Sequence, residues 1–224
     1  MFACLVGCRL FLIFAVVSAT VLAVGPAAGA GVRVVSSPCP SCGHNLIENP
    51  GAEKGKGADG DYKVKVPDWK QAHGFTAAQY AWSGGDLSAT SPGPKNRGKN
   101  YFYGGPDSAR SSGTQVITVA AGGIATGHVQ YTLSGWLGGY DSQGDHATLT
   151  VTFENASGAA IGSAQIGPVT EAQRKGISEL LLRSSTGMVP SATAELEIQL
   201  VMVRDAGSDD DGLADNLSLV FTDK

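Results

Sequence analysis

From Asn45 onward the sequence alternates short apolar segments with clusters of Gly, Pro, Asn and Asp. The clearest segment is Ala147–Phe153. Leu149, Val151 and Phe153 fall on one side and Thr148, Thr150 and Thr152 on the other. That period of two, with β-branched residues on both faces, predicts a half-buried strand. Asn155-Ala156-Ser157-Gly158 reads as a turn and Ala160–Ile166 as the returning strand, so the two predict a hairpin. Ala194–Val203 is a further strand, with Leu196, Ile198, Leu200 and Met202 facing inward. Val129–Trp136 and Gly113–Val119 fit the same template, and Leu213–Phe221 is the expected final strand. Short strands separated by regular turn signals predict an all-β sandwich or barrel.

Several stretches depart from that pattern. Thr170–Arg183 opens like a helix, with Glu171 just inside, and Gly176 interrupts it; the expectation is a short helical turn, then a strand from Ile177 to Arg183. The Gly-rich stretch Gly51–Gly60 and the segment Thr90–Gly98 read as long surface loops, the parts of a sandwich that carry most binding function. The acidic run Asp209-Asp210-Asp211 lies between Ser208 and Gly212. It lacks the twelve-residue spacing and closing Glu of an EF-hand, so it reads as a solvated hairpin turn.

The N-terminus bears on compartment. Arg9 is the single charged residue before Arg33, an apolar run extends from Leu10 to Val24, and Pro26 precedes Ala27-Ala28-Gly29-Ala30. A positive start, an apolar core and a small-residue end form the pattern of a secretory signal peptide. The run of about 15 residues is short of the roughly 20 that span a bilayer. The expected organisation is a signal peptide over 1–30, a leader over 31–44 and a β-sandwich domain over 45–224, in a secreted, extracellular protein. Cleavage after Ala30 removes one basic residue, Arg9, and leaves 15 basic against 20 acidic, a net charge of −5. That balance argues against a nucleic-acid partner and against docking on an anionic membrane. Cys4 and Cys8 leave with the signal. Cys39-Pro-Ser-Cys42 and His44 supply too few ligands for zinc, and a thioredoxin-like motif belongs at a helix start in an α/β fold. In an exported chain, Cys39 and Cys42 read as a small local disulfide.

Catalytic signatures are sparse. The string Gly139-Tyr-Asp-Ser-Gln-Gly144 has the wrong spacing for a nucleophile elbow. No zincin, P-loop or dinucleotide motif occurs, and His44, His73, His128 and His146 are scattered. Acidic residues are numerous enough for a glycosidase pair, but nothing in the sequence brings two of them together.

Two terminal motifs suggest a family. Asn45-Leu-Ile-Glu-Asn-Pro-Gly-Ala-Glu53 resembles the opening of carbohydrate-binding modules with the galactose-binding-like jelly roll, and Gly212-Leu-Ala-Asp-Asn-Leu-Ser-Leu219 resembles their last strand. Between them, Asn100-Tyr-Phe-Tyr-Gly-Gly105, Thr114–Ile117 and Tyr131–Trp136 follow in the order such modules show. The resemblance implies a jelly-roll β-sandwich whose first and last strands lie side by side. Glu53 and Asp215 would then approach each other as two buried carboxylates, with a structural Ca2+ between them. Ca2+ takes six to eight oxygen ligands in flexible geometry. It also implies carbohydrate as ligand. A sugar needs aromatic faces for its C–H surface and polar groups for its hydroxyls, which makes Trp82, Tyr101, Tyr103 and Tyr140 the candidates. Trp136 lies within a strand and reads as core, and Trp69 matches a position whose indole packs inside. The reading is therefore a secreted, non-catalytic carbohydrate-binding module with a structural calcium site. An adhesive protein that binds a protein partner and a polysaccharide hydrolase are the alternatives.

Overall fold

The computed structural model describes residues 39–224. The expected signal peptide and residues 31–38 of the expected leader lie outside the described residues.

Among the described residues the chain forms ten strands: β1 (Lys70–Ala72), β2 (Thr76–Gln79), β3 (Asn100–Gly105), β4 (Arg110–Thr118), β5 (Val129–Gly139), β6 (His146–Glu154), β7 (Ala160–Ile166), β8 (Glu179–Met188), β9 (Glu195–Val203) and β10 (Asp210–Asp223). They build two five-stranded sheets, ordered β1-β4-β9-β6-β7 and β2-β3-β10-β5-β8. Every strand pairing is antiparallel. The alternation read from the sequence decides which face turns inward. Leu149, Val151 and Phe153 of β6 and Leu196, Ile198, Leu200 and Met202 of β9 share one core with Val129, Leu133 and Leu137 of β5 and Leu219 and Phe221 of β10. The expected hairpin is present as β6 and β7.

One end of the core is aromatic. The Trp69 ring meets Phe102 edge-on with centroids 5.2 Å apart, and Phe75 lies 5.8 Å from Phe102. Gly113 faces this cluster, and a Cβ there would stand 2.4 Å from the Phe75 ring. The close approach of β4 to Phe75 therefore requires glycine.

The two ends of the described chain run together. Leu46 N–H donates to the Leu219 carbonyl at 2.8 Å, and Leu217 N–H donates to the Pro50 carbonyl at 3.0 Å. Asn45 clasps β10, since its Nδ2 donates to the Leu217 carbonyl and its Oδ1 accepts from Leu219 N–H. Just upstream, Cys39 and Cys42 are joined by a disulfide that packs against the core.

A second, smaller apolar cluster covers the outer face of the β2-β3-β10-β5-β8 sheet. Ala78, Tyr80, Leu87, Tyr101, Tyr103, Leu180 and Leu213 form it, with Trp82 and Trp136 packed alongside. The segment from Tyr80 to Lys99 folds over this face, held by Leu180 N–H on the Pro92 carbonyl and Tyr80 N–H on the Lys99 carbonyl. Trp136 thus differs from its expected core position. Leu133, Gly135 and Leu137 turn inward, so Trp136, one residue before Leu137, turns out, and its indole is half-buried.

The segment after β7 resolves into a four-residue helical turn, Glu171–Arg174, opened by a reciprocal capping box between Thr170 and Gln173. Lys175 and Gly176 adopt positive φ and end the turn. β8 then starts at Glu179, two residues later than expected, because the Ile177 carbonyl accepts from Arg174 Nη1.

Phe102→Ala removes a fully buried ring and should destabilise the domain by about 3–5 kcal/mol in chemical denaturation. Val116→Ala on the outer face of β4, where the side chain is exposed, should change stability by less than about 0.5 kcal/mol.

Candidate ligand-binding site

Loops at one end of the smaller cluster enclose a pocket of about 270 Å3 lined by Asp61, Trp82, Asp86, Tyr103, Tyr140, Gln143, Asp209 and Asp211 with Gly84, Gly207 and Ser208. Tyr103 projects from the outer face of β3, and Trp82 and Asp86 come from the segment that follows β2. Tyr140 and Gln143 follow β5. Asp209 closes the loop between β9 and β10, and Asp211 is the second residue of β10. Three of the four aromatic residues singled out from the sequence therefore meet here. Tyr140 is exposed, Trp82 half-exposed, and Tyr103 nearly buried. Tyr101 does not line the pocket. It shares the outward face of β3 with Tyr103, but it is fully buried, with Tyr80 packed against its ring at 4.9 Å. No ring face is open to a ligand, so Tyr101 supports the wall from beneath.

Two buried polar side chains hold the lining loops. Arg174 is fully buried. It donates from Nη1 to the Asp141 and Ile177 carbonyls, both at 2.7 Å, and from Nη2 to the Gln143 carbonyl at 2.6 Å. Burial draws its pKa below the ordinary arginine value, and Glu171 and Glu179 oppose that shift. Asp145, also fully buried, accepts from the Asp205 and Ala206 amides at Oδ1 and from the Asp211 amide at Oδ2, at 2.8, 3.0 and 2.8 Å. The loop after β5 and the loop before β10 are thereby fixed in place. Sequence reasoning singled out neither residue. An Arg closing a helical turn and an Asp opening a strand carry no local sign that their partners lie about 30 and 60 residues away in sequence.

The acidic run also differs from its expectation. Asp210 and Asp211 are buried. β10 begins at Asp210, three residues ahead of the apolar pattern, and pairs there with Gly105 of β3. Asp210 accepts from the Ser111 hydroxyl at 3.0 Å and from Gly212 N–H at 3.3 Å. Burial nevertheless raises its pKa to about 7. Burial also raises Asp86 to about 7, with Asp209 and Asp61 adding to the shift. Asp211 is pushed to about 8 by burial and then by Asp86, Asp145 and Asp209. Burial drives the Tyr103 phenol far above its ordinary range.

Glu53 and Asp215 lie near one another, as the resemblance implied, though not as two buried acids. Asp215 is fully buried and Glu53 is exposed. A Cβ built on Gly51 would stand 3.1 Å from Asp215 Oδ1 and 3.7 Å from Glu53 Cγ, so both acids border that glycine. A bulge in β10 between Asp215 and Ser218, with Asn216 at φ 47°, turns the strand here. Asp215 Oδ2 accepts from Tyr80 Oη at 2.8 Å and Oδ1 from Asn216 N–H at 2.7 Å. Glu53 Oε1 accepts from the Lys99 and Asn100 amides at 2.9 and 2.8 Å. Burial lifts Asp215 to about 7, and Glu53 adds to the rise. The nearby positive charge is Arg97, whose guanidinium lies 5.0 Å from the Tyr80 ring centroid. The donor type suits a hard cation, because each Asp215 oxygen keeps a second lone pair. Two carboxylates leave most of six to eight positions to backbone carbonyls and water. Among the described residues no group of three or more His, Cys, Asp or Glu side chains is placed to hold a metal ion.

Asp86, Asp210 and Asp211 all have native pKa values above those of the unfolded chain. The native state therefore holds more protons between about pH 4 and pH 8, and its stability falls as pH rises through that window. In EGTA the melting temperature should be higher at pH 5 than at pH 8. The double replacement Asp86→Asn and Asp211→Asn should flatten the decline, and thermal scans across the pH series check both.

No family model matches the sequence, and no curated protein does. Solved structures do. A family 16 carbohydrate-binding module is similar with a TM-score of 0.50 and 18% identity, over 79% of this chain and 99% of that one. A cyclase from Fischerella sp. TAU, in complex with 4-(1H-indol-3-yl)butan-2-one, has a TM-score of 0.51 and 12% identity, over 81% and 98%. The enzymatically active domain of tailspike protein 4 from bacteriophage CBA120 has a TM-score of 0.49 and 13% identity. This chain spans 21% of that tailspike chain. At such identities what is shared is the fold, an all-β sandwich of two antiparallel sheets.

Proposed function

We propose that this chain is a secreted, non-catalytic carbohydrate-binding module that takes one sugar ring in the pocket walled by Trp82, Tyr103 and Tyr140. The observation that carries this reading is the convergence of three aromatic residues and several hydrogen-bonding side chains on one small pocket. Aromatic faces receive the C–H surface of a sugar, and Asp and Gln oxygens accept its hydroxyls. Ligand pockets run from about 300 Å3 upward, so this one suits a single terminal residue and not a long chain. The likeness to a family 16 carbohydrate-binding module supports the fold part of the reading. Fold alone does not fix function, and the Fischerella neighbour is a cyclase.

The raised acids invite a hydrolase reading. A glycosidase divides its work between one protonated acid and one ionised carboxylate, whose environments push their pKa values apart. Asp86 and Asp211 are pushed in the same direction. That parallel shift favours binding over acid–base catalysis.

The calcium belongs to the same proposal. Glu53 and Asp215 would hold it, with its charge lowering the cost of burying Asp215. Its role is structural, tying the segment around Glu53 to β10, and no binding step runs through it.

A glycan panel read by calorimetry should identify a sugar whose binding is lost in Trp82→Ala while the melting temperature is kept. Binding to no glycan, or binding indifferent to Trp82, overturns the reading. For the metal, the melting temperature should rise in Ca2+ relative to EGTA. Saturation at about a hundred times Kd adds roughly 2.7 kcal/mol. Glu53→Gln should reduce that gain, and equal melting in Ca2+ and EGTA removes the calcium.

A further inference from the structure

The pocket gathers carboxyl groups with no basic side chain among its lining. Asp61, Asp86, Asp209 and Asp211 line it, and no Lys, Arg or His does. The charged groups that act on Asp86 and Asp211 are all other aspartates. Beneath the floor, Asp145 and Asp210 add more of the same sign. The basic residue of the adjoining loop, Arg204, donates to the Ser208 carbonyl and acts on Asp210. The phenols facing the pocket are Tyr103 and Tyr140.

Three side chains at this site also lack partners. Asp211 is 7% exposed and Tyr103 4% exposed. Neither the Asp211 carboxylate nor the Tyr103 hydroxyl has a hydrogen-bond partner among the described residues, and both residues line the pocket. Gln143 Oε1 is a buried acceptor with no partner. An unsatisfied buried polar atom is rare and costly in native folds, so Gln143 Oε1, beside the Asp211 carboxylate and Tyr103 hydroxyl that open on the same cavity, points to a ligand that completes them.

Building on the carbohydrate reading, we propose that this pocket selects a sugar bearing a free, protonated amine over neutral and N-acylated sugars. An ammonium carries three donors and a full positive charge, which answers acceptors that have no donor opposite them. A compact metal ion demands converging oxygens, and no group of three acidic, His or Cys ligands converges among the described residues. An ammonium tolerates the wider spread and gains further from aromatic faces such as Trp82 and Tyr103. Acylation removes the charge and leaves Asp86 and Asp211 without a partner, and an acidic sugar adds repulsion.

Calorimetry with the mature protein tests this, using oligomers of glucosamine, the same oligomers N-acetylated, and glucose oligomers of equal length. The glucosamine oligomer should bind at least about tenfold more tightly, since a desolvated charge pair is commonly worth more than that factor. Asp211→Asn and Asp86→Asn should each erase the preference and leave the melting temperature unchanged or higher. Trp82→Ala should lose binding altogether. Affinity for the amine should rise from pH 5 toward pH 7, as the pocket acids ionise while the amine keeps its proton. Equal or tighter Trp82-dependent binding of the acetylated or glucose oligomer overturns amine selection and leaves the carbohydrate reading standing. Failure of every sugar overturns both. Asp211-dependent binding of Ca2+, tighter than that of any sugar, assigns the pocket to a metal and overturns the inference.

Discussion

Carboxylates withdrawn from water are the constraint around which this end of the molecule is arranged. Taking an ionised acid out of water costs several kcal/mol unless hydrogen bonds or opposite charge replace the lost hydration. Four buried aspartates and the partly buried Asp86 meet that cost in different ways. Asp145 receives three backbone amides. Asp210 receives a hydroxyl and an amide, and Asp215 a phenol and an amide. Asp86 and Asp211 receive no hydrogen bond from the protein. The first of these shapes the loops, and the last two are left for a proton or an arriving cation.

The inner half of the sandwich was legible because a period-two pattern encodes it directly. Leu149, Val151 and Phe153 could turn only one way together, and the same holds for Leu196 to Met202. The outer cluster was less legible. Trp136, Tyr101 and Leu213 point away from the main core, yet the segment from Tyr80 to Lys99 covers them. A strand buried on both faces shows no alternation, so β3, with all six residues buried, escaped the strand pattern. Trp82, Tyr103 and Tyr140 could be singled out by residue type alone, and they line one pocket. The acidic half was misread as a solvated turn. Asp and Gly favour turns locally, and only the pairing of Asp210 with Gly105 draws that run inside. Arg174 and Asp145 were invisible because their partners are backbone groups, which carry no residue identity.

Preorganisation follows from those two hidden residues. The loops that bear Tyr140, Gln143 and Asp209 have no strand pairing of their own, and left free they would lose conformational entropy on binding. Arg174 and Asp145 impose that loss during folding, so a ligand does not bear it again. The two charge-rich places on this face are also physically joined. Tyr80 donates to Asp215 and packs on Tyr101, whose phenol feels the charge of Asp86. Tyr80 and Asp86 lie at one end of the segment that roofs the outer face, and that segment forms the Trp82 wall of the pocket. On the proposed readings, a cation at Asp215 would act on the pocket only through this shared segment, by holding the stretch of chain that carries Trp82, and would touch no sugar itself. Coupling of this kind needs no moving part. It requires only that both sites lean on the same stretch of chain, so that ordering it for one lowers the entropy still to be lost for the other.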